Sequence, residues 1–294
     1  MTAPALTFHR LHPYFVAEVS APDLRTVGDQ ATLAGIRWGL DEHAVLVFRN
    51  QLFTNEEQLA FAQRLDGTVN AKSASTIVLG KARLPPGLSD VSNLDQNGEI
   101  WAADDDRRMS RMTNRLWHTD ASFVDPSGRY SMLSAKAVPP VRADTEFADM
   151  RAAYDALDAE MKIRVEALRA CHSITYTKRI LGYAVSEDAE KKLRGIIHPL
   201  IRTIPGSQRR SLYLAAHVSH IVDMPVPEGR VLLGDVIEHA TQPQFVYAHA
   251  WRVNDFVIWD NRATMHRGRS YDDTKYRREL VRATTLDIEP SAPA

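Results

Sequence analysis

The 294-residue sequence predicts a mainly β protein with flanking helices, an α+β sandwich or barrel rather than a doubly wound α/β fold. Three observations carry this. Short runs rich in β-branched and aromatic residues outnumber the helical stretches, they crowd together in the C-terminal half, and neither GxGxxG nor a P-loop accompanies them.

The first strand-like run is "AVLVF" (44–48), apolar throughout and bounded by His43 and Arg49-Asn50, as a buried strand would be. A helix follows in "TNEEQLAFAQRL", where Thr54 and Glu57 have capping-box spacing ahead of Leu59, Phe61, Ala62 and Leu65. Residues 66–113 carry weak periodicity, adjacent prolines at 85 and 86, and the cluster "DDDRR" at 104–108. A long excursion of this kind is either a mobile active-site lid or a solvated surface loop, and both readings stand. "YSMLSAKAV" (130–138) predicts a strand, and "DMRAAYDALDAEMKIRVEALRA" (149–170) a helix capped by Asp149 with a second start at Asp158. "PEGRVLLGDVIEHAT" (227–241) is an amphipathic helix. "SLYLAA" and "LVRATTL" read as strands, and "FVYAHAWRVNDFVIWD" as two strands joined by a tight turn at Asn254-Asp255. No repeat or linker interrupts the chain, so one domain over 1–294 is expected.

With 44% hydrophobic and 25% charged residues the chain can bury a substantial core. Its formal net charge of -1, with acids and bases intermixed, lacks the electrostatic footprint of nucleic-acid or anionic-membrane binding. The expected partners are a small molecule and, as a homo-oligomer, further copies of the chain. The single cysteine, Cys171, excludes an internal disulfide and a cysteine-based zinc site; it reads as a buried small residue in a reducing compartment. No stretch approaches a membrane span and the N-terminus lacks a signal pattern, which predicts a cytoplasmic location.

Of 11 histidines only His118, in "NRLWHTDASF", is followed two positions later by an acid. Chance supplies about one such pair in a chain of this size, so the pair needs a third partner. On an extended segment residues i and i+2 project to one face, so His118 and Asp120 can offer an imidazole nitrogen and a carboxylate oxygen to one point. His266, after "VIWDNRATM", is the candidate third ligand. Together they would form the 2-His-1-carboxylate facial triad of non-heme Fe(II) oxygenases. Two neutral imidazoles and one carboxylate leave Fe(II) with a net charge of about +1, which suits an anionic chelate such as a 2-oxo acid. In "RRELVRATTL", strand parity puts Arg278, Leu280, Arg282 and Thr284 on one face. Two inward arginines each require an anionic partner, whereas the plainer reading leaves this segment as a solvated edge strand.

The motifs "LWHTD", "WDNRATMHRGR" and "RRELVRATT" resemble the Fe(II)/2-oxoglutarate-dependent dioxygenases of the taurine dioxygenase superfamily. With "VLVFR", "SMLSAKAVPP", "DTEFADMRAAYDAL" and "EHATQPQFVY", the resemblance reaches the 2,4-dichlorophenoxyacetate/2-oxoglutarate dioxygenase group and covers most of residues 12–288. It implies a double-stranded β-helix, or jelly roll, with Fe(II), 2-oxoglutarate and O2 as cofactor and co-substrates. His118, Asp120 and His266 would be the iron ligands, and Thr145 and Arg278 would bind the distal carboxylate of 2-oxoglutarate, with Asn114 touching the oxo acid. Arg282 would pair with the acid group of the substrate, and His217 and His220 would lie near its pocket, although structural or solvent-exposed roles suit both histidines nearly as well. The implied reaction hydroxylates an aryloxyalkanoate beside its ether oxygen, giving a phenol, glyoxylate, succinate and CO2. One departure stands out: Ile204, in "PLIRTIPGS", occupies the place of a histidine in many members, which would alter a pocket that this position lines. The alternatives are a taurine, alkylsulfonate or alkyl sulfate dioxygenase, since Arg282 would bind a sulfonate equally well, and a non-catalytic metal-binding jelly roll.

Overall fold

The computed structural model describes residues 6–70 and 83–288. Its framework is a seven-stranded sheet built from β1 (Thr7–Arg10), β2 (Ala17–Ser20), β3 (Val45–Phe48), β4 (Leu88–Ser92), β5 (Gly128–Ala137), β13 (Phe256–Asp260) and β15 (Glu279–Leu286). The spatial order is β1-β2-β3-β13-β5-β15-β4, and every neighbouring pair is antiparallel except β2 with β3. A second, three-stranded sheet pairs β6 (Thr145–Asp149) with both β12 (Val246–His249) and β14 (Thr264–Gly268). A third places β7 (Arg169–His172) between β8 (Ile196–Pro199) and β11 (Val218–Ile221), and β9 (Ile201–Thr203) pairs with β10 (Arg210–Leu212).

The central strands are apolar at consecutive positions because both of their faces are covered. Val45, Val47, Leu133, Val257, Trp259 and Leu280 face inward and pack with Phe147 of β6. The alternate residues Leu46, Phe48, Met132, Ile258, Val281 and Ala283 pack outward. There they meet α1 (Gln30–His43), through Leu33, Ile36 and Leu40, and α2 (Asn55–Asp66), through Phe61 and Leu65. Burying each such large side chain stabilises the fold by about 1.5–3 kcal/mol. Gln58, fully buried in α2, donates to the carbonyls of Met132 and Val281 at 3.1 and 3.0 Å and accepts from Ser134, so the helix is keyed to β5 and β15.

The capping box at Thr54 and Glu57 forms as its spacing predicts. Helix α1 lies outside the runs singled out in the sequence. Its Gly39 lets the ring of Phe8 approach the helix backbone, where a Cβ would collide. The predicted helix over 149–170 is divided. Asp149 caps α4 (Met150–Asp155), Asp158 caps α5 (Ala159–Glu166), and the remainder enters strand β7. Two N-caps nine residues apart end one helix and begin the next.

The two strands expected in 245–260 form, but they do not pair with each other. The turn exists, with Asn254 at φ +67°, but β12 joins the small sheet while β13 enters the large one between β3 and β5. A strand buried at all five positions needs a neighbour on each side, and the half-exposed β12 cannot serve as one. The 66–113 excursion is also partly ordered: β4 pairs with β15, and 106–115 form α3 (Asp106–Ser110) followed by a 3₁₀ turn. Residues 71–82 of the expected lid lie outside the described residues. Among the described residues no helix is long and apolar enough to cross a membrane.

Candidate active site

His118 reaches the site through backbone pairing rather than through a regular strand. Its N–H donates to the carbonyl of His266 at 3.0 Å, and the N–H of His266 donates back at 2.8 Å. This bridge joins the segment before the turn to β14 and sets the two rings 4.2 Å apart between centroids. Thr119 points the other way, donating to the carbonyls of Leu214 and Thr264. Asp120, on the same side as His118, completes the group. Nε2 of His118 lies 3.8 Å from Oδ1 of Asp120, Nε2 of His266 lies 3.6 Å from Oδ2, and the three donor atoms fall within 4.8 Å of one another.

The residues fit a divalent ion of the first transition row. Donors held at about 2.0–2.2 Å from one ion are roughly 3–4 Å apart. Nδ1 of His118 is 2.8 Å from the Leu116 carbonyl, which fixes the proton on Nδ1 and leaves the Nε2 lone pair for the metal. Burial lowers the proton affinity of both imidazoles, His266 strongly, so both are available as neutral ligands. Burial opposes ionisation of Asp120, but the Arg282 guanidinium, the two imidazoles and the Ser131 hydroxyl together hold its carboxyl down to about 2. The carboxylate is oriented from both sides. Arg282 donates to Oδ1, Ser131 donates to Oδ2 at 2.8 Å, and Asn261 ties the Ser131 hydroxyl to the Asp120 backbone. Trp259 in turn donates to Asn261 at 3.0 Å.

Two neighbouring cavities open on this group, with His118, Asn114, Arg111 and Arg282 lining both. The first also contains His266, Thr145 and Arg278. Arg278 donates to the Thr145 hydroxyl at 3.4 Å, and Trp251 donates to the same oxygen at 3.0 Å. Burial lowers the guanidinium of Arg278 to about 10, and among the described residues no carboxylate lies within ion-pair distance of it. This is a cation waiting for an anion.

The second cavity is more mixed, with Phe123 and Ile174 beside Asp120, Thr177, Lys178, His217 and Arg282. His217 is buried and held by Ser122, whose hydroxyl lies 2.6 Å from its Nε2 and 2.8 Å from Nδ1 of His172. Burial pushes the His217 imidazolium down to about 3. His220 lies apart: it contacts the Ser219 hydroxyl at 2.9 Å and lines neither cavity. Ile204 packs against Ala44 and Ala263, also away from both cavities, so the departure from the family pattern falls in the core. Each inward arginine requires an anion beside it. For Arg282 the chain supplies one itself, Asp120.

Several contributors escaped the sequence reading. Asn261 stands inside the "WDN" motif and Ser131 inside the "YSML" strand, but nothing local shows that they meet Asp120. Arg111 belongs to the charge-rich excursion whose composition suits a solvated surface, yet it lines both cavities and stacks on Trp101 at 5.5 Å.

Comparison with known proteins agrees with this geometry. Residues 7–284 match the family described as Taurine catabolism dioxygenase TauD, TfdA family. The chain is 44% identical over 280 residues to the alpha-ketoglutarate-dependent 2,4-dichlorophenoxyacetate dioxygenase of Burkholderia sp. (strain RASC), covering 94% of this chain and 93% of that one. It is 33% identical to the (S)-phenoxypropionate/alpha-ketoglutarate-dioxygenase of Sphingobium herbicidovorans, covering 94% and 93%. The crystal structure of AAD-2 in complex with Mn(II) and N-oxalylglycine superposes with a TM-score of 0.89 at 40% identity, covering 99% of this chain and all of that one.

Proposed function

The chain belongs to the TauD, TfdA family of dioxygenases, and from that membership we propose that it is an Fe(II)- and 2-oxoglutarate-dependent dioxygenase acting on an aryloxyalkanoate acid. One observation carries the reading: the His118, Asp120 and His266 donors open onto two cavities, one with a cation and hydroxyl pair free for a dicarboxylate, the other with apolar and cationic walls together. The relatives named for 2,4-dichlorophenoxyacetate and (S)-phenoxypropionate support the substrate class.

Iron bound by the three side chains supplies the O2-dependent oxidation that couples loss of CO2 from 2-oxoglutarate to hydroxylation of the substrate. Arg278 and the Thr145 hydroxyl bind the distal carboxylate of 2-oxoglutarate, and Asn114 sits beside the oxo acid. Arg282, with five donors on a planar group, holds Asp120 and turns its remaining N–H groups to the acid of the substrate. His217, neutral and fixed by Ser122, packs beside the aryl group with Phe123. With an aryloxyacetate, hydroxylation of the carbon next to the ether oxygen gives a hemiacetal. As its C–O bond to the aryl oxygen breaks, that oxygen leaves with the electron pair and takes a proton, giving the phenol, while the remaining carbon becomes the aldehyde of glyoxylate.

The same reading takes the two facing sheets as a double-stranded β-helix in a single domain, and the enzyme as a cytoplasmic homo-oligomer. The test is an O2- and 2-oxoglutarate-dependent assay against phenoxyacetates, phenoxypropionates and sulfonates. Release of phenol with one succinate per turnover is expected from the first two classes. Succinate release stimulated by taurine and not by phenoxyacetates would overturn the substrate assignment.

A further inference from the structure

The second cavity holds a lysine that has no ion-pair partner among the described residues. Helix α6 (Ile174–Ile180) begins at Ser173, whose hydroxyl caps the backbone N–H of Tyr176. From that start, Ile174, Thr177 and Lys178 fall at i, i+3 and i+4, so one face of the helix carries all three into the cavity wall. Lys178 is half-buried, and among the described residues its ammonium has neither a carboxylate nor a carbonyl partner. Burial alone lowers its proton affinity, with no neighbouring charge contributing. The hydroxyl of Thr177, buried beside it at 3% exposure, likewise lacks a hydrogen-bond partner. The other cations of this wall are engaged: Arg282 with Asp120, and Arg111 with the Asp90 carbonyl.

Two adjacent unpartnered donors, one of them charged, on one face of one helix make an anion site. An ammonium and a hydroxyl can each take one oxygen of a carboxylate, and burial makes the charged contact stronger than it would be in water. The geometry points to Thr177 and Lys178 as the pair that binds the acid group of the substrate and selects acids over neutral analogues. This rests on the proposed function for the identity of the acid, not for the existence of the anion site. Arg282 also reaches this cavity from the metal side, but Asp120 neutralises its charge, and Lys178 adds a cation that has no acidic partner among the described residues.

The test is calorimetric binding to enzyme loaded with Mn(II) and N-oxalylglycine, which allows no turnover. Phenoxyacetate, phenoxyacetamide and an alkylsulfonate are titrated into wild type and into the Lys178→Met, Lys178→Arg and Thr177→Val variants. Lys178→Met is expected to weaken phenoxyacetate about 10- to 100-fold and leave the amide unchanged. Thr177→Val should have a smaller effect of the same kind, and Lys178→Arg should restore most of the loss. Equal loss of acid and amide, or unchanged acid binding in Lys178→Met, overturns the proposal while the aryloxyalkanoate reading stands. Binding of the sulfonate but not phenoxyacetate, with the same dependence on Lys178, overturns the aryloxyalkanoate reading and supports the anion site. If no probe binds wild type, both fall.

Discussion

Asp120 and Arg282, 162 positions apart in the sequence, form a hydrogen-bonded ion pair at the candidate metal site, so the carboxylate and the arginine of β15 neutralise each other. Arg282 therefore favours the ionised form of Asp120 while lining the second cavity, and the proposed function gives it both a ligand and a substrate to serve.

Arg282→Ala should consequently affect both. Asp120 loses the guanidinium that most favours its charge, and Mn(II) affinity is expected to fall about 10- to 100-fold in a direct titration. At saturating metal, the half-saturating concentration of the substrate should rise far more than that of the oxo acid. Equal increases in the two would show that Arg282 does not face the substrate.

Ser131→Ala removes the hydroxyl that donates to Oδ2 of Asp120 and accepts from Asn261. An amide donor is left buried without a partner, at a cost of about 1–3 kcal/mol. Chemical denaturation should register that loss, and metal affinity should fall by about tenfold or more. Unchanged metal binding would mean that Arg282 alone orients the carboxylate.

Arg278→Ala deletes the partly buried cation beside Thr145. Loss of a charge-assisted hydrogen bond of about 1.5–3 kcal/mol predicts that the oxo acid binds about 10- to 150-fold more weakly, with metal affinity nearly unchanged. Anaerobic titration of the Fe(II) enzyme with 2-oxoglutarate, followed by its charge-transfer absorption, reads the change. Weakened substrate binding with the oxo acid held as tightly as before would reverse the roles of the two arginines.

His217 makes stability depend on pH. Burial lowers its pKa from 6.5 to about 3, so the folded chain holds it neutral while the unfolded chain protonates it. As pH falls from about 6.5 towards 3 the unfolded state binds the extra proton, and stability drops by about 1.4 kcal/mol per pH unit from this group. His172, shifted well downward chiefly by burial, acts in the same direction. Above about pH 6.5 the contribution is flat. Denaturation of metal-free enzyme at pH 7 and pH 5 should show the drop, and His217→Gln should reduce it. Identical slopes in wild type and variant would locate the pH sensitivity elsewhere.

Much of this architecture was legible in the residue order alone. Alternating inward and outward burial along β15 follows from strand parity, and Leu280, Arg282 and Thr284 do share the inner side. The caps at Thr54, Asp149 and Asp158 were readable because a side-chain acceptor followed by a free N–H is a local event. That the two strands flanking Asn254-Asp255 join different sheets was not legible, for the opposite reason. A turn is local, but which sheet each strand joins depends on partners roughly 100 residues away or more, β6 for β12 and β3 and β5 for β13.

The active site divides along the same line. By itself the sequence determined the ligand types, their spacing and the face each would take, because side-chain direction over two or four residues follows from backbone geometry alone. Only the tertiary structure decided that His118 pairs with His266 across β14, that Asp120 is the anion Arg282 requires, and that Arg111, Thr177 and Lys178 line the cavities. Charge and polarity read identically for a solvated loop and for a cavity wall. What separates them is whether distant elements close over the group and remove water, and that is a property of the packed chain.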